Sequence, residues 1–199
     1  MVTKKVRQEI DRAIKTVWLK EICEDFGRGR ILREASLQCG LYHHVRTRLE
    51  GVLEENNLFI YPEFYMPELK YRADMAVVEM DLSANGSLSD KVTDIAAVIE
   101  LKFRDGMSQG TFNVIKADLR KMRQYAKQMG ESCQCYFGII YESECEWLYW
   151  LDRRSTEHWA NDRMTELDAG YLDGVMTFEV NSYNQMNFRN KSTTCQMLW

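Results

Sequence analysis

The hydrophobic period of the chain changes at Asn56-Asn57, and this change restricts the fold more than any other feature. Before it, Val6, Ile10, Ile14, Leu19, Ile22 and Phe26 recur mostly every three or four residues, which predicts an amphipathic helix over 4–26, broken by Gly27 and Gly29. Leu37, Leu41, Val45, Leu49 and Leu53 then repeat every four residues and predict a second helix over about 31–55. After it, LFIYPEFYM (58–66), YRADMAVVEM (71–80) and DIAAVIELKF (94–103) are aromatic and β-branched runs with strand texture. Asn85-Gly86 lies between the last two, so they are expected to pair antiparallel through a somewhat long connection. A helix over 111–129 ends at Gly130, and CQCYFGIIY (133–141) reads as a fully apolar strand. Residues 144–169 read as helix and loop, and VMTFEV (175–180) as a last strand. The economical packing for this order is an α/β fold with a central mixed β-sheet flanked by helices.

With 199 residues and no Pro/Gly/Ser-rich linker, the chain is expected to form one domain over 1–199. No apolar run reaches the ~18 residues of a membrane span, and the charged amino-terminal segment lacks the apolar stretch of a secretory signal, so the expected location is cytoplasmic. Six cysteines without a CxxC pair point to reduced, buried thiols rather than a disulfide framework or zinc site. Net charge is −4, which argues against indiscriminate coating of nucleic acid, but it is unevenly spread: 111–130 carry +4, 51–110 carry −6 and 131–180 carry −8. Basic helices flanking an acidic middle can approach phosphate while carboxylates await a cation; ordinary solvated helix faces would look the same.

Chemistry concentrates in the third strand-like run, where Glu100-Leu101-Lys102-Phe103 follows Ile95–Ile99. Residues two apart on a strand share a face, so Glu100 and Lys102 project together while Leu101 packs on the other side. Ions beside so apolar a strand lose hydration that their mutual attraction often fails to recover. A hairpin joining 71–80 to 94–103 brings Asp74 near Glu100. Two carboxylates so placed raise each other's pKa unless a divalent cation neutralises them, and oxygen donors suit Mg²⁺, with Mn²⁺ as a substitute. A metal so held can polarise a phosphodiester and activate a water, with Lys102 stabilising developing charge. The bland alternatives are a strand-start residue for Asp74 and an exposed ion pair for Glu100 and Lys102. Glu34 lies three residues before the leucine stripe, on or beside its buried face. Glu63 is an outer candidate acid. His43 and His44 diverge by about 100° on a helix and fit surface roles. Trp147, Tyr149, Trp150 and Trp159 suit core packing more often than base stacking.

Asp74 followed after 25 residues by Glu100-Leu101-Lys102 resembles the signature of the PD-(D/E)xK nuclease superfamily, whose fold is restriction-endonuclease-like. Glu34 on the preceding helix, the αβββαβ order and the basic helix after the motif are similar to that family's core. The resemblance spans about 30–141, leaving helix 4–26 as an amino-terminal addition and 142–199 as a carboxy-terminal elaboration. It implies Asp74 and Glu100 as metal ligands, the Leu101 carbonyl as a further ligand, Lys102 as the catalytic lysine and Glu34 as an outer, catalytic metal contact. It also implies a Mg²⁺-dependent nuclease acting on DNA through a metal-activated water, or a degenerate DNA- or protein-binding subunit, as a homodimer or within a larger defence or repair complex. Lys116, Arg120, Lys121, Arg123 and Tyr125 are the expected nucleic-acid contacts. The motif proline is absent, since Arg72-Ala73 precedes Asp74. One branch of the family carries Gln-x-x-x-Tyr on the next helix; here Lys121 stands in the glutamine's place before Tyr125.

Overall fold

The structure, a computed structural model, describes residues 1–106, 108–129, 133–148, 150, 163–183 and 191–195. It is a mixed α/β fold built on a seven-stranded sheet. Helix α1 (Lys4–Val17) continues through a π-helical turn (Trp18–Ile22) into α2 (Cys23–Gly27), and α3 spans Glu34–Glu55. The strands are β1 (Leu58–Met66), β2 (Tyr71–Met80) and β3 (Val92–Arg104), then β4 (Gln134–Glu144) after helix α4 (Gln109–Gln128), and β5 (Met164–Leu172), β6 (Val175–Ser182) and β7 (Lys191–Thr194). Their spatial order follows the chain, β1 to β7. β3, β4 and β5 run parallel, while the β1–β2, β2–β3, β5–β6 and β6–β7 pairs are antiparallel. The helix between β3 and β4 is what a parallel crossover requires.

Each face of the sheet is closed by helices. The stripe Leu37, Leu41, Val45, Leu49 and Leu53 of α3 packs with Ile10, Ile14 and Trp18 over Met75, Ile99, Leu101 and Phe178. Ile115, Met122 and Tyr125 of α4 cover Ala76, Val98, Phe137 and Ile139 on the opposite face. Both faces of β3 and β4 are therefore buried, which explains their near-continuous apolar sequence.

Three expectations need correction. The first helix buries Trp18 completely and leaves Leu19 only half-buried, because the π-helical turn adds a residue to one turn and shifts the apolar line. Trp18 uses its indole N–H on the Asp168 carbonyl, 3.2 Å away. Residues 164–169, expected as helix or loop, belong to β5, and β7 was not anticipated. Glu166 obscures β5 in the sequence, since an acid at a buried strand position reads as a break. Here it is fully buried and accepts the Trp150 backbone N–H and the Tyr183 O–H, each at 2.8 Å. Tyr149 and Trp159 lie outside the described residues, as do 151–162; Trp150 packs edge-on against Phe112 at 4.9 Å, and Trp147 is exposed. None of the six cysteines is in a disulfide; five are buried and Cys39 is exposed.

Candidate functional site

The site lies where β2 and β3 part. Their ladder runs as far as Met75 opposite Ile99, while β2 stays paired to β1 down to Tyr71. One residue past the last rung, the Asp74 carboxylate replaces the missing strand: its Oδ2 accepts the Leu101 backbone N–H at 2.6 Å. Asp74 and Glu100 thus flank a fork whose backbone polar groups are bonded by side chains, which satisfies amides that would otherwise be orphaned.

Alternation along β3 sends Leu101 into the α1–α3 face and Glu100 and Lys102 toward α4. Glu100 is fully buried; its Oε1 accepts the Tyr125 O–H at 2.7 Å and its Oε2 the Lys121 amine at 3.1 Å. Lys102, 7% exposed, donates to its neighbour's carbonyl at Leu101 (2.6 Å) and to Glu34 Oε1 (3.2 Å). The same amine lies 3.5 Å from Asp118 Oδ2 and 3.9 Å from Asp74 Oδ2. Glu34, first residue of α3, also faces Arg104 at 3.7 Å. Asp74, Glu100, Leu101, Lys102 and Glu34 therefore do converge.

Burial, reinforced by the Asp74 carboxylate, pushes Glu100 up to about 7. Burial likewise holds Asp74 above the usual carboxylate range, despite Lys102 and the Leu101 amide. Burial works to lower Lys102, but Asp74, Asp118 and Glu34 outweigh it and leave the amine above its ordinary value. Tyr125 is raised by burial and by the carboxylate it serves, so its hydroxyl stays a donor. Because the folded value of Glu100 exceeds the ordinary 4.5, its contribution to stability is fully present below about 4.5 and lost as pH rises through about 7. In metal-free buffer the melting temperature is expected to fall between about pH 5 and 8, and Glu100→Gln to flatten that slope; parallel curves would contradict the assignment.

The five expected nucleic-acid contacts separate. Lys116, Arg120 and Arg123 are exposed and, with Lys127, form a stripe about half a turn away from the buried line Ile115, Asp118, Met122 and Tyr125. None of the four pairs with a carboxylate among the described residues. Lys121 and Tyr125 turn inward instead. Tyr125 is fully buried, a correction to its expected role: its ring packs edge-on against Tyr71 at 6.2 Å and its hydroxyl is engaged by Glu100, so it orients a carboxylate rather than meeting a base.

Asp118 and Gln38 were missed. Asp118, 4% exposed, bridges Lys121 (3.0 Å) and Lys102. Its signal was legible, since it shares the helical spacing of Ile115, Met122 and Tyr125 and an acid on that line demands partners. Gln38 donates to the Asp74 carbonyl and, at 3.0 Å, to Glu63. Glu63 itself bulges from β1 with φ 53° and stays exposed, one residue removed from the site. His44 contacts Asp25 at 2.8 Å, remote from these groups in the pattern of contacts.

Comparison of the chain with protein-family models, curated proteins and solved structures found no match. Asp74, Glu100 and the Leu101 carbonyl supply only oxygen donors, a set that suits a hard divalent cation. Among the described residues no group of three or more His, Cys, Asp or Glu side chains is gathered to hold a metal ion. Nor is any described helix long and apolar enough to cross a membrane.

Proposed function

We propose that this chain is a divalent-metal-dependent nuclease of the PD-(D/E)xK type, with a restriction-endonuclease-like core over α3–β1–β2–β3–α4–β4, acting in the cytoplasm on DNA. The observation that carries the reading is the fork between β2 and β3, where Asp74 lies 3.9 Å from the Lys102 amine and the adjoining strand carries the fully buried Glu100. Burial pushes both acids upward and Asp74 adds to the shift at Glu100, so neutralising positive charge is favoured there. Asp74, Glu100 and the Leu101 carbonyl would hold Mg²⁺ or Mn²⁺, with Glu34 reaching it through water. When bound, the ion supplies polarisation of the phosphodiester and a more acidic attacking water.

The chain's own groups divide the remaining work. Tyr125 orients the Glu100 carboxylate, and Asp74 is fixed by the Leu101 amide. Lys102 is a charged donor at the reacting phosphate, its amine steadied by Glu34 and kept protonated by the surrounding acids. The exposed stripe Lys116, Arg120, Arg123 and Lys127 supplies contacts to backbone phosphates away from the reacting bond.

A catalytically degenerate nuclease-like subunit, binding DNA or protein, is the second reading. It is favoured by the lysine amines on Glu100 Oε2 and the Leu101 carbonyl, two oxygens that a metal would need. End-labelled DNA and RNA incubated with the full chain in Mg²⁺, with a chelator control, separate the two. Chelator-sensitive cleavage supports the nuclease; intact substrates in both Mg²⁺ and Mn²⁺ favour the subunit.

A further inference from the structure

Asp118 has no role among the metal ligands or the lysine expected from the sequence, yet it is the most enclosed acid of the helix that covers the site. It is the acidic residue within α4, buried to 4%, with Oδ1 3.0 Å from Lys121 and Oδ2 3.5 Å from Lys102. Oδ2 has no hydrogen-bond partner. A buried carboxylate left without full hydrogen bonding is costly, and an apolar residue would pack this helix face more favourably.

The positions of the two amines give Asp118 a task. Lys121 stands on Glu100 Oε2, and Lys102 stands on the Leu101 carbonyl. If Asp74, Glu100 and that carbonyl were to hold a dication, both ammonium groups would have to leave those oxygens without leaving the pocket. Four carboxylates (Asp74, Glu100, Glu34 and Asp118) face three cations (Lys102, Lys121 and Arg104). Without Asp118, three carboxylates would face three cations before any metal arrived.

We infer that Asp118 is a positioning residue that receives the Lys102 and Lys121 ammonium groups when a divalent cation takes Glu100 and the Leu101 carbonyl. This inference rests on the nuclease reading. Asp118 touches both amines already, and its unpartnered Oδ2 is free to shorten the 3.5 Å contact to Lys102 into a hydrogen bond. Lys121 can swing from a position shared between Glu100 and Asp118 to one on Asp118 alone. Lys102 then keeps its place beside the fork, and Lys121 ceases to compete with the metal.

Calorimetric titration of the full chain with Mn²⁺, without nucleic acid, tests this independently of activity. Asp118→Asn, which keeps the shape of the side chain, is expected to weaken Mn²⁺ roughly tenfold or more although residue 118 is no ligand. Lys121→Gln alone is expected to tighten Mn²⁺, because the competing amine is gone. The double variant is expected to bind within about threefold of the unaltered protein, a rescue that loss of packing would not produce. Melting curves of each variant establish that it is folded. Unchanged affinity in Asp118→Asn, or no recovery in the double variant, overturns the role of Asp118. If it fails while Asp74→Asn still abolishes Mn²⁺ binding, the nuclease reading stands; if the unaltered protein binds no Mn²⁺, both fall.

Discussion

Asp74→Asn is expected to lower Mg²⁺-dependent DNA hydrolysis by about a thousandfold or more, with the melting temperature within about 2 °C of the unaltered protein. The two halves of this prediction have separate causes. Asn keeps an oxygen able to accept the Leu101 N–H, so the bond that closes the β2–β3 fork survives. What is lost is the negative charge, and with it a ligand for the cation and a partner for Lys102. Lys102→Ala is expected to match the loss through a different route: it removes the donor at the phosphate while both carboxylates remain, so Mn²⁺ binding persists or strengthens. Single-turnover cleavage of a labelled duplex, read beside Mn²⁺ titration, resolves the pair. Cleavage at an unaltered rate in either variant would exclude the proposed site.

The second large effect concerns stability and lies on the other side of the sheet. Lys15 is fully buried in α1, its amine 2.8 Å from Asp11 Oδ2, and Tyr136 of β4 donates to Asp11 Oδ1 at 2.8 Å. Burial lowers Lys15 below its ordinary value, although Asp11 opposes that shift. Asp11→Ala strips the carboxylate from both partners and is expected to cost about 3–5 kcal/mol, measured by urea unfolding. Asp11→Leu combined with Lys15→Met removes the pair together and should recover most of that loss, since apolar residues of similar volume often replace a buried ion pair without penalty. A small loss in Asp11→Ala would mean that the amino-terminal helix packs less firmly on β4 than these distances indicate. The result also tests whether α1 is integral to the domain rather than an appendage.

Period and turn chemistry made the central elements legible. The leucine stripe of α3, the pairing of 71–80 with 94–103 and the α4 crossover follow from side-chain spacing, because apolar faces must meet in this order to leave water. The convergence of Asp74 with Glu100 was legible for the same reason: a hairpin register ties positions at opposite ends of two strands. β5 was hidden because Glu166 and Asp168 occupy fully buried positions, and only partners remote in the chain, such as Tyr183 and Asn181, make carboxylates acceptable there. The π-helical turn at Trp18 was hidden too, since its extra residue serves contacts with Asp168 of β5 and Phe178 of β6, both remote in the chain.

By itself the sequence determined which residue types could meet over the β2–β3 fork: two acids and a lysine within hairpin reach, an acid at the start of a helix, and a basic helix to follow. Only the tertiary structure decided how they share charge. It turned Lys121 and Tyr125 inward onto Glu100, sent Lys116, Arg120 and Arg123 outward, and placed Asp118 between two amines. The reason is physical. Spacing along one helix or strand fixes which face a residue occupies, but the partner of a buried charge is chosen by whichever distant side chain the packing brings within about 3 Å.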